Sequence, residues 1–464
     1  MADGEGVRLA ARARRSLIGC SVAAIVAATG SAAADAACTP NPPQPNGTTI
    51  CSNRTDGGLV VTTSSTVNIL AGATLAGGNG VAAFKATNPG SNVNGTLAKL
   101  TVDGHVAGAD AAGILITNGT PGVTAYPSTR LDIMVGASGM VDGATGILLR
   151  SETDNTFGSV TANLDNSGIV SATSGPALSA SPSVGGFETI NNRAGGFIGG
   201  IDATVGTLTN AGIIDGGVGS AYRFATSTTG YRLFPYAMTN SGTVRSAGAA
   251  STIDLPAFGV TISNSGVIAN SGTGAAVTAG SFLTLTNAPG ATISSAGSVA
   301  VLNENGSLSL VNRGTIVGSV VATNPYLNNV VDTVGGSIRG DLLLGNGNDS
   351  VSGTLNPATG GFAEVSGRVD GGGGMNSADF VIGRDTALGT YLAPAGFQAV
   401  TFQLADDAAV TLAGGINVPI ALAGSGSFTK QCRNVCGPIR LPMPAATPAS
   451  TTTRCSCRVL SGLR

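Results

Sequence analysis

One seven-residue unit recurs along the chain and limits what the chain can fold into: aliphatic, any residue, Asn, any residue, Gly, any residue, aliphatic. It reads Leu164-Asp165-Asn166-Ser167-Gly168-Ile169-Val170, then Leu208-Thr209-Asn210-Ala211-Gly212-Ile213-Ile214, then Met238-Thr239-Asn240-Ser241-Gly242-Thr243-Val244. Two more copies are Ile262-Ser263-Asn264-Ser265-Gly266-Val267-Ile268 and Leu310-Val311-Asn312-Arg313-Gly314-Thr315-Ile316. Looser copies surround Asn192, Asn287 and Asp332, the last with Asp for Asn. From Asn166 to Asp332 the mean period is about 24 residues, inside the window of roughly 20 to 50 that marks a solenoid.

The chemistry of the unit defines each rung. Aliphatic residues alternating on either side of a turn share one face, which is the period of a strand. Asn tolerates the left-handed backbone region and hydrogen-bonds neighbouring main chain, and Gly lifts the steric bar to a sharp corner. The pairs Asn166/Gly168, Asn210/Gly212, Asn240/Gly242, Asn264/Gly266 and Asn312/Gly314 are therefore expected to be structural turn residues. The spacing between units is long and no two-residue hairpin signal dominates. A coil climbing one strand separation per turn, about 4.8 Å, fits better. The expected fold is all-β, a right-handed parallel β-helix with irregular ends. A lone rung cannot bury enough aliphatic surface to offset the entropy of ordering it, so stacking must supply the rest.

Composition agrees. Only 10% of residues are charged and 4% aromatic, with no Trp and 71 Gly, so Ser, Thr and Asn must solvate the surface. The 42% hydrophobic content argues against disorder. A net charge of −2 gives no electrostatic footprint for nucleic acid.

Residues 1–36 have the layout of a secretory signal peptide: Arg8, Arg12, Arg14 and Arg15, an apolar stretch from Leu17 to Thr29, then small residues. Cleavage is expected after Ala36, with Ala34 the next choice. Leu17-Ile18-Gly19-Cys20 has the outline of a lipoprotein box, yet no apolar segment precedes its cysteine. No later run is long enough for a transmembrane helix in the mature chain. In an exported chain Cys38 and Cys51 are expected to form a disulfide closing an N-terminal cap over 37–57. The rungs are expected over 58–341, followed by a Gly-rich region over 342–431.

Several chemical signals are weaker than their structural readings. His105 is the only histidine, and no Gly-x-Ser-x-Gly elbow accompanies it. Gly345-Asn346-Gly347-Asn348-Asp349 and the turn from Asp370 to Asp379 resemble fragments of a calcium-binding array, but two unlike fragments favour simple turns. Arg339-Gly340-Asp341 matches the integrin tripeptide, with Ile338 and Leu342 placing it on a strand. Asp406-Asp407 would point to opposite faces of a strand, which does not suit a glycosidase pair. No catalytic residue, cofactor or metal site is expected.

The signal peptide, the Asn-x-Gly rungs, Gly340-Asp341-Leu342-Leu343-Leu344-Gly345-Asn346-Gly347-Asn348-Asp349-Ser350-Val351 and Gly424-Ser425-Gly426-Ser427-Phe428-Thr429-Lys430-Gln431 together resemble the passenger of a bacterial autotransporter, the type V secretion family. The resemblance covers roughly residues 37 to 431. It implies a passenger carried across the outer membrane by a carboxy-terminal β-barrel, serving as an adhesin or surface structure. Its partners would be a ligand on a host or neighbouring cell, or a second copy in self-association.

The resemblance fails after Gln431. A translocator needs many segments of about ten alternating residues, and 432–464 instead carries Cys, Arg and Pro, including Cys432, Cys436, Cys455 and Cys457. Codons for Cys432-Arg433-Asn434-Val435-Cys436 read one base later can spell Ala-Gly-Thr-Phe-Val, so the tail is expected to be out of frame and the passenger truncated. Cys-x-x-x-Cys with Cys-x-Cys is poor spacing for zinc. The expected location is the cell surface or outer membrane where a barrel is restored, otherwise the periplasm. The competing class is a β-helix polysaccharide lyase or hydrolase, which needs clustered acids and bases that the scattered charges do not supply.

Overall fold

The computed structural model describes residues 38–88, 95–119, 128–151, 159–181, 185–224, 236–256, 259–431 and 453–456. The expected signal peptide and lipoprotein box, and Cys432, Cys436 and Cys457, lie outside them. Every pairing between its strands is parallel, from Thr48–Cys51 on Thr66–Ile69 to Ser427–Gln431 on Thr453–Ser456. The chain is a parallel β-helix.

Each rung has three faces. One runs Val260–Asn264, Val267–Asn270, Val277–Ala279, and the chain then re-enters the first face at Leu283–Asn287. The first face is a 16-stranded sheet from Thr48–Cys51 to Ile420–Gly424. The second and third faces form parallel rows, beginning at Arg54–Asp56 and Leu59–Val61. They merge into one 23-stranded sheet because Thr292–Asn303 and Thr315–Ala322 run around the corner between them through register shifts.

Alternation decides what enters the core. In Val260–Asn264 the residues Val260, Ile262 and Asn264 are buried, whereas Thr261 and Ser263 face solvent. In-register pairing then stacks like on like: Leu100, Ile133, Leu164, Ile190, Leu208, Met238, Ile262, Leu285 and Leu310 make one continuous buried column. Near the carboxy-terminal end the filling becomes aromatic. Phe362 stacks on Phe380 with centroids 4.5 Å apart, and Tyr391 meets Phe402 edge-on at 5.3 Å.

Three expected boundaries move. The first rung lies inside the cap, since Thr48–Cys51 and Arg54–Asp56 already pair with the rung below. Coiling does not stop at 341, because Ser350–Thr354, Asn376–Ile382 and Phe397–Leu404 extend the first face. Glycine there serves tight stacked turns rather than a separate architecture. The tail does not wholly leave the β pattern either, for Thr453–Ser456 adds a strand beside Ser427–Gln431. Thr453-Arg454-Cys455-Ser456 opens on Thr, one of the residue types enriched in strands.

Candidate functional site: an interior ladder and its outer walls

The repeated asparagines meet inside the coil. Asn166, Asn192, Asn210, Asn240, Asn264, Asn287 and Asn312 occupy one column on successive rungs, each no more than 1% exposed. Each Nδ2 donates to the Oδ1 of the next, at 2.8, 2.7, 2.7, 2.8, 2.9 and 2.9 Å in order. The same amide also donates to a carbonyl opening the second face of the next rung: Phe197, Ile213, Thr243, Val267, Thr292, Thr315 or Ser337, at 3.1–3.3 Å. A buried carboxamide left unpaired is costly; here both protons and the oxygen are used. Asn is the side chain that donates and accepts along one axis with no net charge.

Above Asn166 the column becomes Val135, Val102, Ile69 and Cys51. Below Asn312 it meets Thr333, because Asp332 pairs with Val311 rather than with Asn312. The expected eighth copy at Asp332 is thus one residue out of register. Its carboxylate faces outward to Arg313, at 2.9 and 2.5 Å, where it avoids burying a charge in the corner.

The turn residues differ in mechanism from the expectation. Neither the ladder asparagines nor Gly168, Gly212, Gly242, Gly266 and Gly314 adopt the left-handed backbone. Glycine is needed because stacked corners touch. A Cβ on Gly212 would lie 2.2 Å from the Gly196 oxygen, on Gly242 2.1 Å from Gly212 O, and on Gly266 2.1 Å from Gly242 O. Positive φ belongs instead to the looser corners two residues longer, at Gly195 (87°) and Gly290 (80°). Main-chain bonding by Asn is present as expected: Gly168 N donates to Asn166 Oδ1 at 3.2 Å and Gly266 N to Asn264 Oδ1 at 3.3 Å.

The outer walls carry little charge, and much of it is paired between rungs. Arg193 meets Asp165 at 2.5 Å, Arg223 meets Asp202 at 2.5 Å and Arg245 meets Asp215 at 2.7 Å. The Arg313 hydrogen bond holds the Asp332 carboxyl below its ordinary value. Burial pushes Asp254 up, against the pull of Arg223. On the first face, outward rows run Thr207, Ala237, Thr261, Thr284, Ser309 and Thr209, Thr239, Ser263, Thr286, Val311.

The flagged residues do not converge. His105 opens the strand His105–Ala107, its Nε2 2.8 Å from Asp142 Oδ2 on the next rung. Arg339 ends the strand Ser337–Arg339, and Gly340 and Asp341 make the corner beyond it, with Asp341 Oδ1 accepting from Arg368 N at 2.8 Å. Asp406 and Asp407 sit in an exposed turn rather than on a strand, Asp407 at φ 66°. A turn there closes the corner between Phe397–Leu404 and Ala409–Leu412. Cys38 and Cys51 are disulfide-bonded and buried, which fastens the segment before Thr48 to the top of the ladder column.

A second buried polar column escaped the sequence reading. Asn329 and Asp349 each precede a first-face strand and Asn376 opens the next one, and all three are at most 1% exposed. Asp349 Oδ1 accepts from Asn329 N at 2.7 Å and Asn329 Nδ2 at 2.9 Å, and Asp349 N donates to Asn376 Oδ1 at 2.7 Å. Its only signal was a polar residue just before Val330-Val331, Ser350-Val351 and Ser377-Ala378, without the Asn-x-Gly stamp. In the calcium-like fragment, Asn346 and Asn348 spend their oxygens on Gly373 N and Met375 N at 3.3 and 2.8 Å. They act as turn residues.

No family model, curated protein or solved structure matches the chain. No helix among the described residues is long and apolar enough to cross a membrane.

Proposed function

We propose that this chain is an exported, non-catalytic passenger of the autotransporter type, a rigid stalk presented at the cell surface for adhesion or self-association. The observation that supports this most is the coil of 16 first-face strands, pinned inside by the asparagine ladder from Asn166 to Asn312 and presenting, between Thr207 and Val311, uncharged outward rows made mostly of Thr and Ser. Such a body gains length by adding rungs without changing its cross-section. It presents repeated hydroxyls at strand spacing to a ligand on another cell or to a second copy. Its interior is closed, so recognition falls to the walls.

The test is location in the cell that makes it. Antibody raised against residues 236–312 should label intact cells, and external protease should remove the label. Labelling only after the outer envelope is permeabilised would overturn surface display.

A further inference from the structure

The second polar column contains one member that does not fit its place as an anion. The loops before Asp349 and Asn376 are superimposed rungs of equal length: Leu342 pairs with Val369 and Leu343 with Asp370, while Ser350 pairs with Ser377. Residues 27 apart are therefore equivalent through the turn, as the bonds Gly373 N to Asn346 Oδ1 and Met375 N to Asn348 Oδ1 also show. In the lower loop Asn376 Nδ2 donates to Gly371 O at 2.8 Å and to Gly373 O at 3.0 Å. The equivalent carbonyls in the upper loop are those of Leu344 and Asn346. Where Asn376 offers an amide proton to such carbonyls, Asp349 offers Oδ2, a buried atom with no hydrogen-bond partner. An ionised carboxylate only accepts, whereas a protonated one donates.

We propose that Asp349 is a proton-held latch: it sits in the folded coil as a neutral carboxylic acid whose Oδ2–H bonds a carbonyl of its own turn, and losing that proton loosens the seam between turns 344–349 and 371–376. Burial raises this carboxyl above its ordinary value, and the two Asn329 bonds only partly oppose that. No charged group contributes to the shift. Among the elements packed on it, Asp332 is turned to Arg313 and Asp370 to Arg368. Asp379 lies on the outward side of its strand, and Asp341 accepts from Arg368 N. A metal ion is the competing occupant, but calcium wants about six to eight oxygens, and the Asn346 and Asn348 oxygens are already taken.

The sign follows from linkage. The folded state holds a proton that the unfolded or locally opened state releases, so stability from this group is complete below the ordinary Asp value. It is lost as pH rises through the elevated folded value. One proton released on opening makes the opening constant rise about tenfold per pH unit in that window.

The experiment is hydrogen–deuterium exchange on the full chain, resolved by peptide, from about pH 4 to pH 8 and corrected for intrinsic exchange. Peptides covering 344–349 and 371–376 should lose protection by about tenfold per pH unit over part of that range, whereas peptides covering 262–268 stay flat. Asp349→Asn, whose amide can donate as Asn376 does, should keep the seam closed at every pH. Flat protection of both loops in the parent chain would overturn the latch. So would protection that calcium chloride restores in the parent chain but not in Asp349→Asn, since Oδ2 would then be a cation ligand.

Discussion

At the scale of single residues the coil is specified by two positions in each unit, and they act in different ways. Asn264 sits mid-ladder, accepting from Asn240 at 2.8 Å and donating to Asn287 at 2.9 Å. Asn264→Leu fits the alternation but strands a buried amide proton above and a buried oxygen below. The expected loss is roughly 2–4 kcal/mol, read as a lower denaturant midpoint of the full chain. Gly242 is a matter of space. Asn210 and Asn240 stay in register only because Gly212 and Gly242 pass within contact distance, and Gly242→Ala would place a Cβ 2.1 Å from the Gly212 oxygen. Overpacking against immovable backbone costs about 1–3 kcal/mol or more. Gly72→Ala is the contrast: nothing lies within 4 Å of its Cβ, and its penalty comes from φ of 81° alone. Thermal unfolding of the two variants separates crowding from backbone strain.

At the scale of elements, rungs are joined by main-chain ladders, stacked side chains and a few ion pairs. Arg313 and Asp332 bridge two rungs from partly exposed positions, so solvent limits the pair to about 1 kcal/mol or less. Its pH dependence opposes that of Asp349. The Asp332 carboxyl is held below its ordinary value, so the stability it lends is present above that value and disappears as pH falls through the lowered one. Arg313→Ala should therefore lower the melting temperature slightly near pH 7 and leave it unchanged near pH 2. Strand existence and corner position were legible because alternation and the Asn-x-Gly stamp are both local. The cause of the glycine was not, since no single rung contains the oxygen it avoids. Register at Asp332 was illegible for a related reason: one shifted residue exchanges a buried position for an exposed one, and Val330-Val331-Asp332-Thr333 carries an acceptable residue at either. The Asn329–Asp349–Asn376 column was hidden because its spacings, 20 and 27 residues, fall on loops of unequal length.

At the scale of the whole molecule, contacts reach only adjacent rungs, so damage should stay near where it is made. Reducing the Cys38–Cys51 disulfide frees a loop of sequence separation 13, worth up to about 3 kcal/mol. Exchange protection should fall at Thr48–Cys51 and Thr66–Ile69 while Val260–Asn264 keeps its own. A chain whose protection fell everywhere at once would be a single cooperative body instead. Function remains the part least written in the sequence, because walls of Thr and Ser carry no motif. Surface display is the proposal to test, and it rests on the export signal expected over residues 1–36 and on the expected likeness to autotransporter passengers.

Cross-linking tests the in-register parallel coil in solution. Thr209 and Thr239 are exposed register partners on neighbouring rungs, separated by about 4.8 Å, which a disulfide can span. Thr209 and Ser263 are two rungs apart, about 9.6 Å, which it cannot. Peptide mapping by mass after mild oxidation of the full chain should find the cross-link in Thr209→Cys/Thr239→Cys and none in Thr209→Cys/Ser263→Cys. Absence of the first, or equal formation of both, would contradict the stacked register on which the rest depends.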